Sequence, residues 1–266
     1  MTAITGRPAL GGSILEAAKA IVSVITPTYN CANFIGQTIE SVQGQDYPHW
    51  EMIIVDDCST DQTKNIVARY SQADPRIRYY CLDHNSGAAR ARTEAMKIAQ
   101  GDYMAFLDSD DLWTPDKLSR QLAFMQKTGA AFSCTAYEQI EEDGHKNGKI
   151  IRSLPRCSYN RLLLDCPVGN STVMYNVKVM GKFEVPDIRK RNDDALWLQM
   201  LKKEPFIYGM PDVLMLYRLR SGSISSNKWK LVRYHWQLYR KIEHLSIPRS
   251  VFHIAYWGFL KAFHLK

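Results

Sequence analysis

From residue 21 onward, short apolar runs alternate with stretches of helical period. Residues 21–25 (IVSVI) are rich in β-branched side chains and closed by Pro27, and residues 32–43 follow with a helical pattern. The cycle repeats three times: a strand at 51–55 before a helix at 62–72, a strand at 76–82 before a helix at 87–100, and a strand at 103–107. Strands apolar throughout, separated by amphipathic helices, predict an α/β fold whose mainly parallel sheet is covered on both faces. Beyond Asp111 the rhythm loosens. A helix is expected from Pro115 to about Lys127, with proline suited to the first turn, then a strand at 130–137 and a polar turn at 141–149 between antiparallel strands. A helix at 194–203 and strand-like runs at 206–218 around Pro211 follow. Residues 229–265 read as two helices broken at Pro248.

Ligands of such sheets bind at the carboxyl ends of the strands. Four polar clusters fall there: Pro27-Thr28-Tyr29-Asn30, Asp56-Asp57, residues 85–92, and Asp108-Ser109-Asp110-Asp111. Three carboxylates within four residues repel one another and need compensation. A magnesium or manganese ion supplies it well, taking substrate phosphate oxygens as its remaining ligands; the competing reading is a solvated turn in which Ser109 or Asp111 caps a helix. Asp56-Asp57 ends the second strand, where a carboxylate can accept from a base or ribose hydroxyl, with Ser59 or Thr60 a candidate helix cap. Neither G-x-G-x-x-G after the first strand nor G-x-x-x-x-G-K-S/T occurs, which disfavours nicotinamide-dependent and P-loop enzymes. Phosphates would then be met by a metal and by basic side chains, with Arg90 and Arg92 as candidates or as plain surface charges.

Composition adds where the charge sits. The 266 residues carry 34 Lys and Arg against 27 Asp and Glu, a net charge of +7. Eight basic residues and a single acid, Glu243, lie from Ser226 onward, so the rest is balanced at 26 of each sign. A neutral body with a basic tail is not the profile of a general nucleic-acid binder. The six cysteines show no metal-ligand spacing and read as reduced thiols in the cytosol. The first twenty residues lack a secretory core. The apolar run at 254–260 is far short of the roughly 20 residues of a spanning helix.

In order, residues 22–30 (VSVITPTYN), 51–61 (EMIIVDDCSTD), 85–92 with Asn-Ser-Gly and Ala-Arg, and 106–111 (FLDSDD) resemble the inverting family 2 glycosyltransferases of GT-A fold. The resemblance covers most of residues 21–220. It implies a Rossmann-like sheet, a UDP-sugar donor and a Mn2+ or Mg2+ cofactor. Residue by residue, it implies that Pro27, Thr28 and Tyr29 lie against the nucleotide base and that Asp57 bonds uracil. Arg92 would lie near the nucleotide, Asp108 and Ser109 near the ribose or sugar, and Asp110 on the metal. Cys58 departs from the family, which commonly has glycine there. Residues 191–198 (RNDDALWL) match the segment where the family places its general base, with Asn192 in place of a glutamate; Asp193 aligns best and Asp194 is the fallback. Residues 217–228 resemble a segment that closes over the donor, which makes Arg218 and Lys228 candidate diphosphate contacts.

The expected organisation is an extension at 1–20, a catalytic domain at 21–226 (nucleotide-binding half 21–111, acceptor half 112–226) and a basic aromatic tail at 227–266. In the tail, Phe252, Tyr256, Phe259 and Phe263 recur at helical spacing, as in a helix lying on an anionic membrane; packing on the protein's own core or in a dimer gives the same pattern. Joined to the resemblance, the tail points to a lipid-linked oligosaccharide acceptor in bacterial surface polysaccharide synthesis, met at the cytoplasmic face of the membrane. The alternatives are a nucleotidyltransferase that makes a sugar nucleotide and a non-catalytic membrane-binding module.

Overall fold

The computed structural model describes residues 20–220 and 228–263, with only the backbone of 228–230 and 261. The expected extension lies outside the described residues except for Ala20. Strands β1 (Val22–Thr28), β2 (Trp50–Asp56), β3 (Ile77–Cys81) and β4 (Tyr103–Phe106) alternate with helices α1 (Ile35–Gln43), α2 (Thr63–Ala73) and α3 (Ala88–Ile98). Every residue of β1 and β4 is buried, as strands covered on both faces must be. Then come β5 (Leu112–Trp113), α4 (Lys117–Thr128), β6 (Phe132–Ile140), β7 (Lys146–Ile151), β8 (Arg156–Ser158), α5 (Tyr159–Leu164), β9 (Met174–Asn176), α6 (Val177–Met180), α7 (Asn192–Leu201) and β10 (Phe206–Arg218).

The sheet order is β3-β2-β1-β4-β9-β6-β10-β5, with β7 on β6 and β8 on β10. β1, β2, β3 and β4 pair in parallel, as does β10 with β6, while β9 is antiparallel to both β4 and β6. This is a GT-A-like sheet, mainly parallel and flanked by helices. In register, Thr28 stands opposite Asp56 and Ile25 opposite Phe106, so the segments after β1, β2 and β4 leave the sheet at one edge. Pro211 cannot donate to the ladder, and the β10 register shifts between Met210 and Val213.

The short elements β5, β8, α5 and α6 carry no expectation from sequence, and the structure departs from it elsewhere too. β9, wedged between β4 and β6, was not anticipated. The polar segment 141–149 is only partly turn, because β7 begins at Lys146 and pairs with β6. The tail does not break at Pro248. Helix α8 (Lys228–Gln237) runs on through a π-helical turn (Leu238–Ile242), the break follows, and Pro248 sits in the first turn of α9 (Ile247–Ala262). One core cluster joins Phe106, Phe132, Tyr175 and Trp197 to Leu238, Tyr239 and Leu245 of the tail. Trp197, fully buried, meets Phe106 edge-on at 5.0 Å, which fixes α7 against the centre of the sheet.

Candidate active site

The loop after β1 is latched to the loop after β2. Asn30 N–H donates to Ser59 Oγ and Thr60 N–H to Asn30 Oδ1, both at 2.8 Å. Asp56 Oδ1 accepts from the Ser59 N–H and hydroxyl, and Oδ2 from the Tyr79 hydroxyl at 2.7 Å. The turn so held places Cys58 at φ 63°, the left-handed region where glycine is free of strain. That accounts for the family's glycine at this point. Helix α2 is not capped by Ser59 or Thr60: Asp61 accepts from Thr63 N–H at 2.9 Å instead. Pro27 and Thr28 are buried at the strand's end, and Tyr29 is 48% exposed at the rim.

Asp57, 4% exposed, accepts from the backbone N–H groups of Ser86 and Gly87 at 2.6 and 2.7 Å. Gly87 (φ 91°) turns the chain into α3. Of the two arginines there, Arg90 is a surface charge paired with Glu94. Arg92 is buried: its guanidinium donates to Asp108 Oδ1 at 3.1 Å and to Asn192 Oδ1 at the start of α7. One side chain therefore joins the carboxylate segment after β4 to the helix that carries Asp193.

The three aspartates of that segment take different roles. Asp111, buried, caps nothing; it accepts from the Ser171 hydroxyl at 2.6 Å and from Arg218 N–H at 3.0 Å. Burial and the charges of Asp110 and Asp108 push its pKa well above the ordinary carboxylate value. Asp108 is also raised, chiefly by desolvation and against the pull of Arg92, and Asn170 donates to its Oδ1 at 2.8 Å. Asp110 pairs through Oδ2 with Arg220 at 3.0 Å. The backbone carbonyl of Ser109 accepts from Thr38 and Cys31. Much of the compensation that the sequence assigned to a cation is supplied by Arg92 and Arg220.

Asp108 Oδ2 and Asp110 Oδ1 carry no hydrogen bond among the described residues. Two hard carboxylate oxygens on half-exposed side chains fit a divalent ion that draws its other ligands from a diphosphate. No cluster of three or more metal-ligating side chains exists among the described residues.

Arg218 does not face that space. It is 3% exposed, and its guanidinium donates to the backbone carbonyls of Asp110 and Glu142 and to Gln37 Oε1. Arg220, two residues on and not singled out from sequence, is the guanidinium at the carboxylate; its position beyond the end of β10 was the available signal. The side chain of Lys228 lies outside the described residues.

At α7, Asp194 is buried and paired with Arg191 at 2.8 Å. Asp193 is half-buried and makes no ion pair among the described residues. Burial, then the neighbouring Asp194, pushes Asp193 up to about 6, with Arg92 and Arg191 pulling the other way. A carboxylate ionised at neutral pH yet more basic than usual is suited to accept a proton.

In the tail, the sequence left open whether its aromatics pack on the core. Phe252, Tyr256, Phe259 and Phe263 are 36–64% exposed, together with Ile247 and Val251, whereas Trp257, His253 and Ser250 face inward. Among the described residues no helix is long and apolar enough to cross a membrane. All six cysteines are free thiols.

Residues 23–184 match the sequence profile of glycosyl transferase family 2. The chain is 47% identical over 232 residues to a Bacillus subtilis protein assigned to teichuronic acid biosynthesis, the glycosyltransferase TuaG, covering 87% of this chain and 92% of that one. It is 36% identical over 219 residues to the Escherichia coli enzyme named UDP-Glc:alpha-D-GlcNAc-diphosphoundecaprenol beta-1,3-glucosyltransferase WfgD, covering 82% and 85%. Among solved structures, Staphylococcus aureus TarS 1–349 in complex with UDP superposes with a TM-score of 0.64 at 22% identity over 88% of this chain and 69% of that one. The mannosyltransferase PcManGT of Pyrobaculum calidifontis, with GDP-Man and Mn2+, gives 0.60 at 19% identity over 90% and 69%.

Proposed function

We propose a donor, a base and an acceptor for this chain, which belongs to glycosyl transferase family 2 and is a glycosyltransferase. It moves a hexose from a UDP-sugar, with inversion, onto a hydroxyl of a lipid-linked glycan in bacterial surface polysaccharide synthesis. Family membership removes the nucleotidyltransferase alternative. The observation that carries the reading is the Arg92 bridge, which ties Asp108, at the carboxyl edge of the sheet, to Asn192 in the first turn of α7, next to Asp193.

In this reading the uracil lies by Pro27, Thr28 and Tyr29 and bonds Asp57, whose two backbone contacts already hold the neighbouring loop in place. Arg92, Asp108 and Ser109 face the ribose and sugar. Asp110, with Asp108 beside it, would hold Mn2+ or Mg2+, which when bound neutralises charge on the diphosphate. Arg220 replaces Arg218 as the guanidinium for the departing diphosphate, and Lys228 joins it. Asp193 takes the proton of the acceptor hydroxyl. The oxygen attacks the anomeric carbon from the face opposite the diphosphate, the bond to UDP breaks, and the proton remains on Asp193 until solvent removes it.

The UDP-sugar donor is supported by the E. coli relative's name and by a structural neighbour crystallised with UDP. A diphosphoundecaprenol-linked acceptor in that relative's name supports a lipid-linked acceptor here. The exposed aromatic stripe of α9, with the basic residues around it, supports a peripheral place on the cytoplasmic face of the membrane. Calorimetric titration of UDP with Mn2+ present, and again with chelator, tests the donor site. Binding that requires metal is the expected result. Binding equally tight in chelator removes the metal from the account, and no binding in either removes UDP.

A further inference from the structure

The tail is sewn to the body beside α7. The Tyr239 hydroxyl donates to Leu163 O at 2.9 Å, and Glu243, the single acid of the tail, accepts from the Tyr159 hydroxyl and pairs with Lys202 at 2.8 Å. Enclosed behind these contacts is His235, 3% exposed, its ring 4.6 Å from Trp257 and 5.8 Å from Tyr239. His235 Nε2 lies 3.0 Å from Arg191 Nη2. A guanidinium only donates, so this nitrogen accepts and carries no proton. The other end of the same guanidinium donates to Asp194 Oδ2 at 2.8 Å.

Arg191 immediately precedes α7 and has φ 65°. A residue with a Cβ stays in that region only where its surroundings fix it. Here the side chain is clamped at both ends, by Asp194 of its own helix and by His235 of the tail. Two residues on stands Asp193.

We propose that Arg191 is a positioning residue for Asp193, held in place by the C-terminal helices through His235. The proposal rests on Asp193 being the base. The charged and titratable groups around Asp193 are Arg92 from α3, Arg191 and Asp194 from its own segment, and Cys166 after α5. Arg92 and Arg191 set their positive charge against Asp194. Freeing Arg191 lets the first turn of α7 swing and removes a cation from beside Asp193. Trp257 and the exposed aromatics lie on opposite faces of α9, so whatever seats the outer face bears on the inner contact.

The test is a carboxylate carbon-13 NMR titration of the full chain labelled at aspartate, with Asp193→Asn assigning the resonance. Arg191→Gly keeps the left-handed backbone and removes the clamp. His235→Ala removes the tail's hold, and His235→Gln keeps an acceptor for the guanidinium. The titration midpoint of Asp193 is expected near 6 in the parent chain and about one pH unit higher in Arg191→Gly. His235→Ala is expected to shift it up by less, and His235→Gln to restore it. UDP affinity is expected to stay within about twofold throughout. Should His235→Ala not fold, Arg191→Gly and His235→Gln carry the test. A midpoint unmoved in Arg191→Gly and His235→Ala, with Asp193→Asn inactive in transfer, overturns the positioning role and leaves the base intact. Transfer retained in Asp193→Asn overturns the base assignment, and the positioning role falls with it.

Discussion

Replacing Arg92 with methionine keeps the apolar stem and removes the cation that joins α3, Asp108 and α7. Breaking a buried pair by deleting one partner costs about 3–5 kcal/mol, but here the two sides differ. The Asp108 side chain is 36% exposed, so solvent screening brings its share toward the ~0–1 kcal/mol of a surface pair. Asn192 is buried, and its amide oxygen loses a charge-assisted hydrogen bond worth about 1.5–3 kcal/mol. The expected loss at neutral pH is therefore about 1.5–4 kcal/mol, read by urea unfolding. Arg92 lowers the pKa of both Asp108 and Asp193, so both rise further in the variant. A carboxylate whose folded pKa exceeds its unfolded value binds more protons when folded, and the penalty shrinks as pH falls through the folded pKa. The gap between variant and parent should accordingly narrow from about pH 8 to about pH 5. A loss below about 0.5 kcal/mol, or a gap that is flat across that range, refutes the bridge as the link between the two halves of the site.

Lys117 is fully buried, its amine 3.7 Å from the centre of the Trp113 ring and without a hydrogen-bond partner; burial alone drives its pKa well below that of an ordinary lysine. Between that lowered pKa and the ordinary lysine range the unfolded chain binds the extra proton, so this side chain makes stability climb with pH across the window, by at most about 1.4 kcal/mol per unit, and Lys117→Met should remove that contribution and raise Tm. Equal slopes in the two proteins would rule this out. Glu243→Gln weakens the seam between tail and body by about 1–2 kcal/mol, seen as faster amide exchange in α9; unchanged exchange there would contradict the seam. Phe252→Ser with Phe259→Ser, at exposed positions, should leave stability within about 0.5 kcal/mol while abolishing sedimentation with anionic vesicles. Loss of stability would mean that the stripe packs against protein.

β1, β2 and β4 were legible because strands buried on both faces leave unbroken apolar runs. The carboxylates at their ends were legible because charge is conspicuous after such runs. β9 has three residues and β5 two, too few for any period to register, and their places in the sheet come from pairing with distant strands. Asn192, Asn170 and Ser171 carry no charge, and their importance arises from contacts with Arg92, Asp108 and Asp111 across 60 to 100 positions of chain. The burial of Arg218 has the same origin. Both Arg218 and Arg220 are arginines in one short segment, and only the end of β10 separates the buried one from the one paired with Asp110. The break before Pro248 was misplaced because proline marks the first turn of a helix as readily as its end.

In the proposed reaction Asp193 takes the proton of the acceptor. Asp193→Asn, compared with the parent in UDP release from UDP-hexoses in the presence of a lipid-linked acceptor and in UDP binding by calorimetry, tests it most directly. Transfer is expected to fall by about 10²- to 10⁴-fold with UDP affinity unchanged. Transfer that survives, or UDP binding lost in equal measure, would contradict the assignment.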